Sequence, residues 1–171
     1  MKVCKLDWVE HKDVIKGHIV LEVDGSVNKN PGVFGVVGIY DPQVKQITTY
    51  KYKGNRLTNQ LLEMLAIYHG IEQFKNNYDS DQYIIISDSL TTINILAGIQ
   101  NVRNPRLSYI KSLIEETLQD TKLYLVFRQG HTKHDYVGNY ITHLTRYFNK
   151  TQIEPDIRFG SLQHIVEKFQ W

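Results

Sequence analysis

Short runs of apolar residues in the first third of the chain predict three strands. The runs at 19–23, 34–40 and 47–52 are rich in β-branched and aromatic residues, which is typical of strands. Turn-forming residues, Asn30-Pro31 and Asp41-Pro42, separate the three runs. Because the connections between them are short, we expect an antiparallel meander.

After residue 58 the apolar and small residues change to helical spacing. Residues 59–74 place Ala66, Ile67, Gly70, Ile71 and Phe74 on one face of a predicted helix. Further along, the pattern predicts strands at 83–86 and 123–128 and helices at 89–99, 105–118 and 138–148. Helical crossovers between the later strands make those strands parallel. This order predicts an α/β fold with a five-stranded mixed sheet, an antiparallel meander plus parallel strands, flanked by helices.

The two ends of the chain differ from this central pattern. Residues 1–17 mix charges with isolated apolar residues and indicate an N-terminal extension or edge element, while 18–150 form the predicted domain. In the C-terminal extension, 151–171, Leu162, Ile165, Val166 and Phe169 lie at helical spacing. We expect this helix to pack onto the domain or to dock a protein partner.

Composition narrows the class of protein. The 171 residues are 42% hydrophobic and 22% charged, which excludes disorder and fits one globular domain. The single cysteine, Cys4, excludes an intramolecular disulfide and a cysteine-rich zinc site. No apolar run approaches the roughly 20 residues of a membrane helix, and no signal core is present, so we expect a cytoplasmic protein. The net charge of +2 is compatible with a nucleic-acid partner without indicating one.

Three carboxylates stand where structure alone does not require them. Asp24 and Asp88 each follow an apolar run predicted to be a strand, and Glu63 lies on the inward face of the helix at 59–74. The carboxyl ends of neighbouring parallel strands meet at one edge of a sheet, where all three would converge. An oxygen-only ligand set favours Mg²⁺ or Mn²⁺ over zinc. The alternative is that the aspartates cap turns or the next helix and that Glu63 is solvated.

At this point the sequence resembles ribonuclease H of type 1, a family that includes the ribonuclease H domains of retroelement reverse transcriptases. The resemblance covers residues 18–150. It rests on Asp24-Gly25-Ser26, Asn30-Pro31-Gly32, Gly35, Thr58-Asn59-Gln60-Leu61-Leu62-Glu63, Ser87-Asp88-Ser89, Gly130-His131 and Gly138-Asn139. Proofreading-type exonucleases, another branch of the superfamily, have an acid two residues after the first aspartate, where this chain has Ser26.

The resemblance implies an endonuclease that cleaves the RNA strand of RNA–DNA hybrids and leaves 3′-hydroxyl and 5′-phosphate ends. Two metal ions, Mg²⁺ or Mn²⁺, would be held by Asp24, Glu63 and Asp88. The implied substrate-binding residues are Gly25, Ser26, Asn30, Thr58, Asn59, Gln60 and Asn139. Helix N-capping is an alternative role for Thr58 and Asn59.

Two histidines complete the predicted site. His131 occupies the position of the family's mobile-loop histidine, which implies a proton shuttle; otherwise it is a loop residue without a role. The family's fourth acid, four residues after the asparagine of the last helix, is replaced by His143. We interpret His143 as a fourth metal ligand that shifts the preference towards Mn²⁺. The alternatives are that His143 merely faces solvent at the rim of the site or that Asp135 reaches the site instead.

A competing hypothesis is a catalytically silent ribonuclease H-like module that binds nucleic acid or braces a larger assembly. Loss of the fourth acid favours that hypothesis, and retention of Asp24, Glu63 and Asp88 argues against it. We expect a monomer with no membrane contact whose partner is an RNA–DNA hybrid.

Overall fold

The computed structural model describes residues 2–130, 137–141 and 163–170. Within them one mixed sheet of seven strands runs in the order β1-β6-β5-β2-β3-β4-β7. The strands are β1 (Val3–Asp7), β2 (Leu21–Val27), β3 (Gly32–Asp41), β4 (Gln46–Leu57), β5 (Gln82–Ser87), β6 (Lys122–Phe127) and β7 (Gln163–Gln170). The helices are α1 (Trp8–Ile15), α2 (Asn59–Asn77), α3 (Leu90–Leu96) and α4 (Pro105–Leu118), with a further helical segment at 137–141.

The five predicted strands form the centre of this sheet. Strands β2, β3 and β4 make the antiparallel meander, and β5 and β6 add to it in parallel. The mixed α/β architecture is therefore confirmed. The sheet is wider than predicted because one strand is added at each edge.

Residues near the N-terminus build one of these edges. β1 pairs in parallel with β6, from Val3 opposite Leu123 to Asp7 opposite Phe127. Asp7 then caps α1 by accepting a hydrogen bond from the Val9 N–H at 2.9 Å. Within the predicted extension 1–17, the strand Val3–Asp7 is thus an edge element that continues the sheet.

The other edge corrects the prediction for the tail. Residues 163–170 form β7, antiparallel to β4, and the predicted C-terminal helix is wrong there. Spacing of four apolar residues fits a helix, but Ile165, Val166 and Phe169 are also good strand formers. The outer edge of β4 offers unpaired backbone groups that a strand satisfies and a helix does not.

The main core lies between the sheet and α2. Gly70 lets the helix approach closely, since a Cβ there would come within 2.9 Å of Val23 and 3.2 Å of Ile85. Every residue from Leu61 to Ile71 is buried, because α2 is covered by the sheet on one side and packs against α4 on another. The helix that carries Glu63 is therefore enclosed along most of its length.

A polar network also fixes the middle of α2 to β4. The buried His69 hydrogen-bonds Glu72 at 3.1 Å through Nδ1 and the Tyr52 hydroxyl through Nε2. The Tyr50 ring stacks on the imidazole with centroids 3.8 Å apart. Both ring nitrogens are satisfied, so burial of this histidine leaves no unpaired polar group.

Two smaller apolar clusters cover the opposite face of the sheet. The helical segment at 137–141 packs Val137 and Ile141 on β3 and β4. α1 packs Ile15 on β5 and β6, where Ile86 and Val126 are buried. Among the described residues, no helix is both long enough and apolar enough to cross a membrane.

Candidate active site

Asp24, Glu63 and Asp88 converge in the structure as the sequence predicts. Each offers one carboxylate oxygen, and these three oxygens lie within 4.8 Å of one another. Asp24 and Glu63 are buried, and Asp88 is half-buried. The three residues line a cavity of about 300 Å³ together with Gly25, Ser26, Asn59 and Ser89.

Strand pairing explains how Asp24 and Asp88 meet. Parallel pairing of β2 with β5 ends at Glu22 opposite Ile86, two residues before Asp24. Strand β2 continues to Val27, so Asp24 lies inside the strand and does not close it as the sequence suggested. β5 ends at Ser87, and the next residue, Asp88, lies beside the part of β2 that no longer pairs with β5. This opening between the strands is the site.

Glu63 reaches the opening from the first turns of α2, which press on β2. A Cβ at Gly25 would overlap the Leu62 carbonyl group and lie 2.7 Å from the Glu63 nitrogen, so only glycine allows the helix this close. The Gly25 N–H donates to Glu63 Oε1 at 2.8 Å and to Asp24 Oδ1 at 3.0 Å. One backbone donor therefore aligns two of the carboxylates.

Helix capping is carried by neighbours of the acids. The Thr58 hydroxyl accepts from the Leu61 N–H at 3.1 Å and caps α2. The Ser89 hydroxyl accepts from the Thr92 N–H at 3.4 Å and caps α3. Asp88 is therefore not the cap of the following helix, and Glu63 is not a solvated first-turn residue. Helix capping therefore does not explain Asp88, and solvation does not explain Glu63.

The electrostatics of the cluster are unfavourable without a cation. Glu63 Oε2 is buried and has no hydrogen-bond partner among the described residues. Burial, the nearby charge and contact of Asp24, and the charge of Asp88 raise the pKa of Glu63 well above its ordinary value of 4.5, and the Gly25 hydrogen bond only partly opposes them. Two ionised carboxylates have no proton to place between them, so Oε2 needs either a proton or a cation.

Two glycines, Gly38 and Gly130, shape the site, and no structural role was predicted for either from the sequence. Gly38 lies directly opposite Asp24 in the β2–β3 ladder, and a Cβ there would come within 2.9 Å of Val137. The helical segment at 137–141 is thereby held beside Asp24. Gly130, after β6, contacts the Asp88 carboxyl so closely that a Cβ would overlap it. A glycine inside a strand, as at Gly38, is the sequence signal for such an approach.

Most of the predicted substrate-binding residues border this cavity or lie next to it. The Asn59 side-chain oxygen accepts from the Val27 N–H at 3.2 Å, and the Asn59 N–H donates to Asn30 Oδ1 at 3.3 Å. Gln60 is half-buried in the first turn of α2. Asn139 is exposed on the segment at 137–141. His131, Asp135 and His143 lie outside the described residues.

Comparisons with known proteins agree with this arrangement. A family model described as RNase H matches residues 16–143. No curated protein sequence matches the chain. Among solved structures, the chain is similar to the N-terminal RNase H domain of a Mycobacterium tuberculosis protein, solved as a fusion with maltose-binding protein. The TM-score is 0.58 and the identity 15%, over 72% of this chain and 94% of that chain.

A second solved structure is similar to the same extent. It is RNase H1 from the halophilic archaeon Halobacterium salinarum, with a TM-score of 0.58 and 16% identity over 75% of this chain and 97% of that chain. At such low identity these structures support the fold alone. The family match covers most of the chain and includes all three clustered acids: the chain belongs to the RNase H family.

Proposed function

We propose that the protein is a metal-dependent ribonuclease H that cleaves the RNA strand of RNA–DNA hybrids. One observation carries the proposal: three carboxylate oxygens lie within 4.8 Å of one another, while Glu63 Oε2 is buried and unpartnered. Three acids this close destabilise the fold unless a cation lies between them. Their arrangement therefore serves a purpose other than stability.

The donor set fits a hard divalent cation. All three groups are carboxylates, and carboxylate oxygens suit Mg²⁺ and Mn²⁺. Asp24, Glu63 and Asp88 would hold the ions. When bound, two such ions supply activation of the attacking water and stabilisation of the leaving 3′-oxygen. The Gly25 N–H fixes Glu63 Oε1, so Oε2 would be the oxygen of Glu63 that binds a cation.

Residues beside the carboxylates are suited to hold the hybrid. With its oxygen bound to the Val27 N–H, Asn59 presents its amide nitrogen as a donor from an exposed position. Asn30, Thr58 and Gln60 add polar groups beside it, where ribose hydroxyls and phosphates of an A-like duplex can be contacted across the minor groove. Gly25 and Ser26 bring backbone groups to the same cavity.

The roles proposed for His143 and His131 rest on the sequence. His143 follows Asn139 by four residues, and Val137 and Ile141 place the helical segment at 137–141 beside Asp24 through Gly38. The position of His143, four residues after Asn139, is that of the family's fourth acid, in keeping with a fourth ligand. His131 follows Gly130, which touches Asp88, in keeping with a proton shuttle.

Cleavage of defined substrates tests the proposal. The purified protein is incubated, with Mg²⁺ or Mn²⁺, with a labelled RNA–DNA hybrid and, separately, with duplex RNA, duplex DNA and single-stranded RNA. We expect cleavage of the RNA strand of the hybrid alone. Asp88→Asn should be inactive, whereas Asp81→Asn, at the exposed opposite end of β5, should match wild type. Absence of hybrid cleavage with both ions, or equal activity of Asp88→Asn, refutes the enzyme and favours a silent binding module.

A further inference from the structure

A second cavity lies between α1 and the sheet. Its volume is about 480 Å³, within the range of small-molecule sites. It shares no lining residue with the carboxylate cavity. Trp8, Lys12 and Ile15 of α1 form one wall, and α1 precedes the region matched by the family model. The cavity is therefore a feature of this chain that the family assignment does not explain.

The inner part of the cavity is apolar. Ile15, Val20 and Ile86 line it and are buried. At its border Arg128 forms an ion pair with Glu22, and both side chains are about nine-tenths buried. The Arg128 guanidinium also lies over the Trp8 ring, 5.6 Å from its centroid. The Trp8 side chain and this ion pair are thereby fixed in place.

The outer rim of the cavity carries exposed cationic side chains. Lys12 has its Nζ over the Trp8 ring at 5.6 Å, and Lys16 and His18 are exposed beside it. Within the described residues, neither Lys12 nor Lys16 forms an ion pair. The lining holds three permanent cations against the two acids Asp13 and Glu22. The net charge of the lining is thus +1.

We propose that this cavity binds a nucleoside monophosphate group, either as a free nucleotide or as the 5′-terminal nucleotide of a strand. Lys12 and Lys16 contact the phosphate, and the base and ribose lie on the apolar floor against Trp8. Such a ligand combines the two chemistries of the cavity lining, cationic side chains and buried apolar side chains, and it fits a volume of about 480 Å³. The proposal does not rest on the nuclease assignment.

Fluorescence titration tests this site. The sequence contains two tryptophans, so Trp171→Phe leaves Trp8 as the sole indole reporter. AMP, adenosine and inorganic phosphate are titrated in EDTA, which keeps divalent ions from recruiting phosphate to the acidic cluster. A 5′-phosphorylated tetranucleotide and its 5′-hydroxyl counterpart distinguish a strand end from a free nucleotide.

We expect saturable quenching by AMP and at least tenfold weaker binding of adenosine and of phosphate. Lys12→Gln with Lys16→Gln should weaken AMP binding by about tenfold, since charge-assisted contacts are lost. The matched pair Lys5→Gln with Lys75→Gln, also exposed lysines, should leave binding within twofold of the parent. Tighter binding of the 5′-phosphorylated strand than of AMP identifies the strand end, and the reverse identifies the free nucleotide.

Three results would overturn the proposal: no saturation by AMP, phosphate binding as tightly as AMP, or equal weakening by both lysine pairs. None of them bears on hybrid cleavage, which is measured separately with metal present. Conversely, an inactive enzyme that still binds AMP through Lys12 and Lys16 would leave this proposal standing.

Discussion

Replacing Glu63 by glutamine should stabilise the metal-free protein. The substitution keeps the shape of the side chain and the oxygen that accepts from the Gly25 N–H. At the unpartnered Oε2 it places an NH₂ group that can donate to Asp24. It also removes one of the three buried or half-buried charges of the cluster. Repulsion is lost and a hydrogen bond is gained at the same position.

The magnitude follows from the separation of the charges. Two unit charges no more than 4.8 Å apart repel by at least about 3.5 kcal/mol at an effective dielectric constant of 20. Glu63 belongs to two of the three pairs, but partial protonation relieves most of this energy in the wild type. We therefore expect a net gain of about 2 kcal/mol near neutral pH. For a chain of this length that gain raises Tm by roughly 4–8 °C.

The pH dependence gives the sharper test. The pKa of Glu63 is raised in the folded state above its ordinary value of 4.5, so the folded protein binds this proton more tightly than the unfolded chain. The resulting stability is fully present below pH 4.5 and is lost as pH rises through the raised pKa. The two proteins should thus melt alike near pH 4.5 and diverge towards neutral pH in EDTA.

Thermal melting followed by circular dichroism measures this difference. Glu116→Gln, an exposed acid on α4, is the matched control and should follow wild type at every pH. Mg²⁺ should raise the Tm of wild type and have a much smaller effect on Glu63→Gln. If Glu63→Gln is less stable than wild type in EDTA at neutral pH, the account of a strained carboxylate cluster is wrong.

Three further predictions concern the same site. Asp88→Asn should lower hybrid cleavage at least about a hundredfold while its metal-free Tm stays equal or rises; a clear fall in Tm would make Asp88 structural. Gly130→Ala should lower cleavage by on the order of a hundredfold by displacing the Asp88 carboxyl, and a rate equal to wild type would refute the contact. His143→Asp should raise the Mg²⁺ rate, whereas His143→Ala should lower mainly the Mn²⁺ rate. Equal Mn²⁺ to Mg²⁺ ratios in all three proteins would exclude His143 as a ligand.

Local sequence patterns predicted the centre of the fold because each element there obeys its own periodicity. α4 has the predicted bounds, 105–118, since Asn104 caps it and Pro105 starts it. The convergence of Asp24, Glu63 and Asp88 was also predictable, although Asp24 lies inside β2, because each aspartate follows a short apolar run and Glu63 lies on the inward face of a helix. Each of these signals lies within a few residues of the position it describes.

The remaining features depend on partners distant in sequence. Whether residues 163–170 form a helix or a strand is decided by the free edge of β4, more than 100 residues earlier. Pairing of β1 with β6 likewise joins the two ends of the region from Val3 to Phe127. To predict the close approach at Gly38, one must know that this residue lies opposite Asp24. The spacing of apolar residues along the chain does not predict any of these pairings.

The enclosure of α2 gives the three carboxylates unequal freedom. Amide hydrogens between Leu61 and Ile71 are buried under the sheet and α4, so we expect them to exchange with solvent only on global unfolding. Asp88 lies at a strand end beside the segment that follows β6, where opening requires far less free energy. Cation binding should therefore slow hydrogen exchange around Asp88 and Gly130 and leave that of α2 unchanged. When the larger Mn²⁺ replaces Mg²⁺, we expect Asp88 to move to accommodate it, while Glu63 keeps its position on the rigid helix α2.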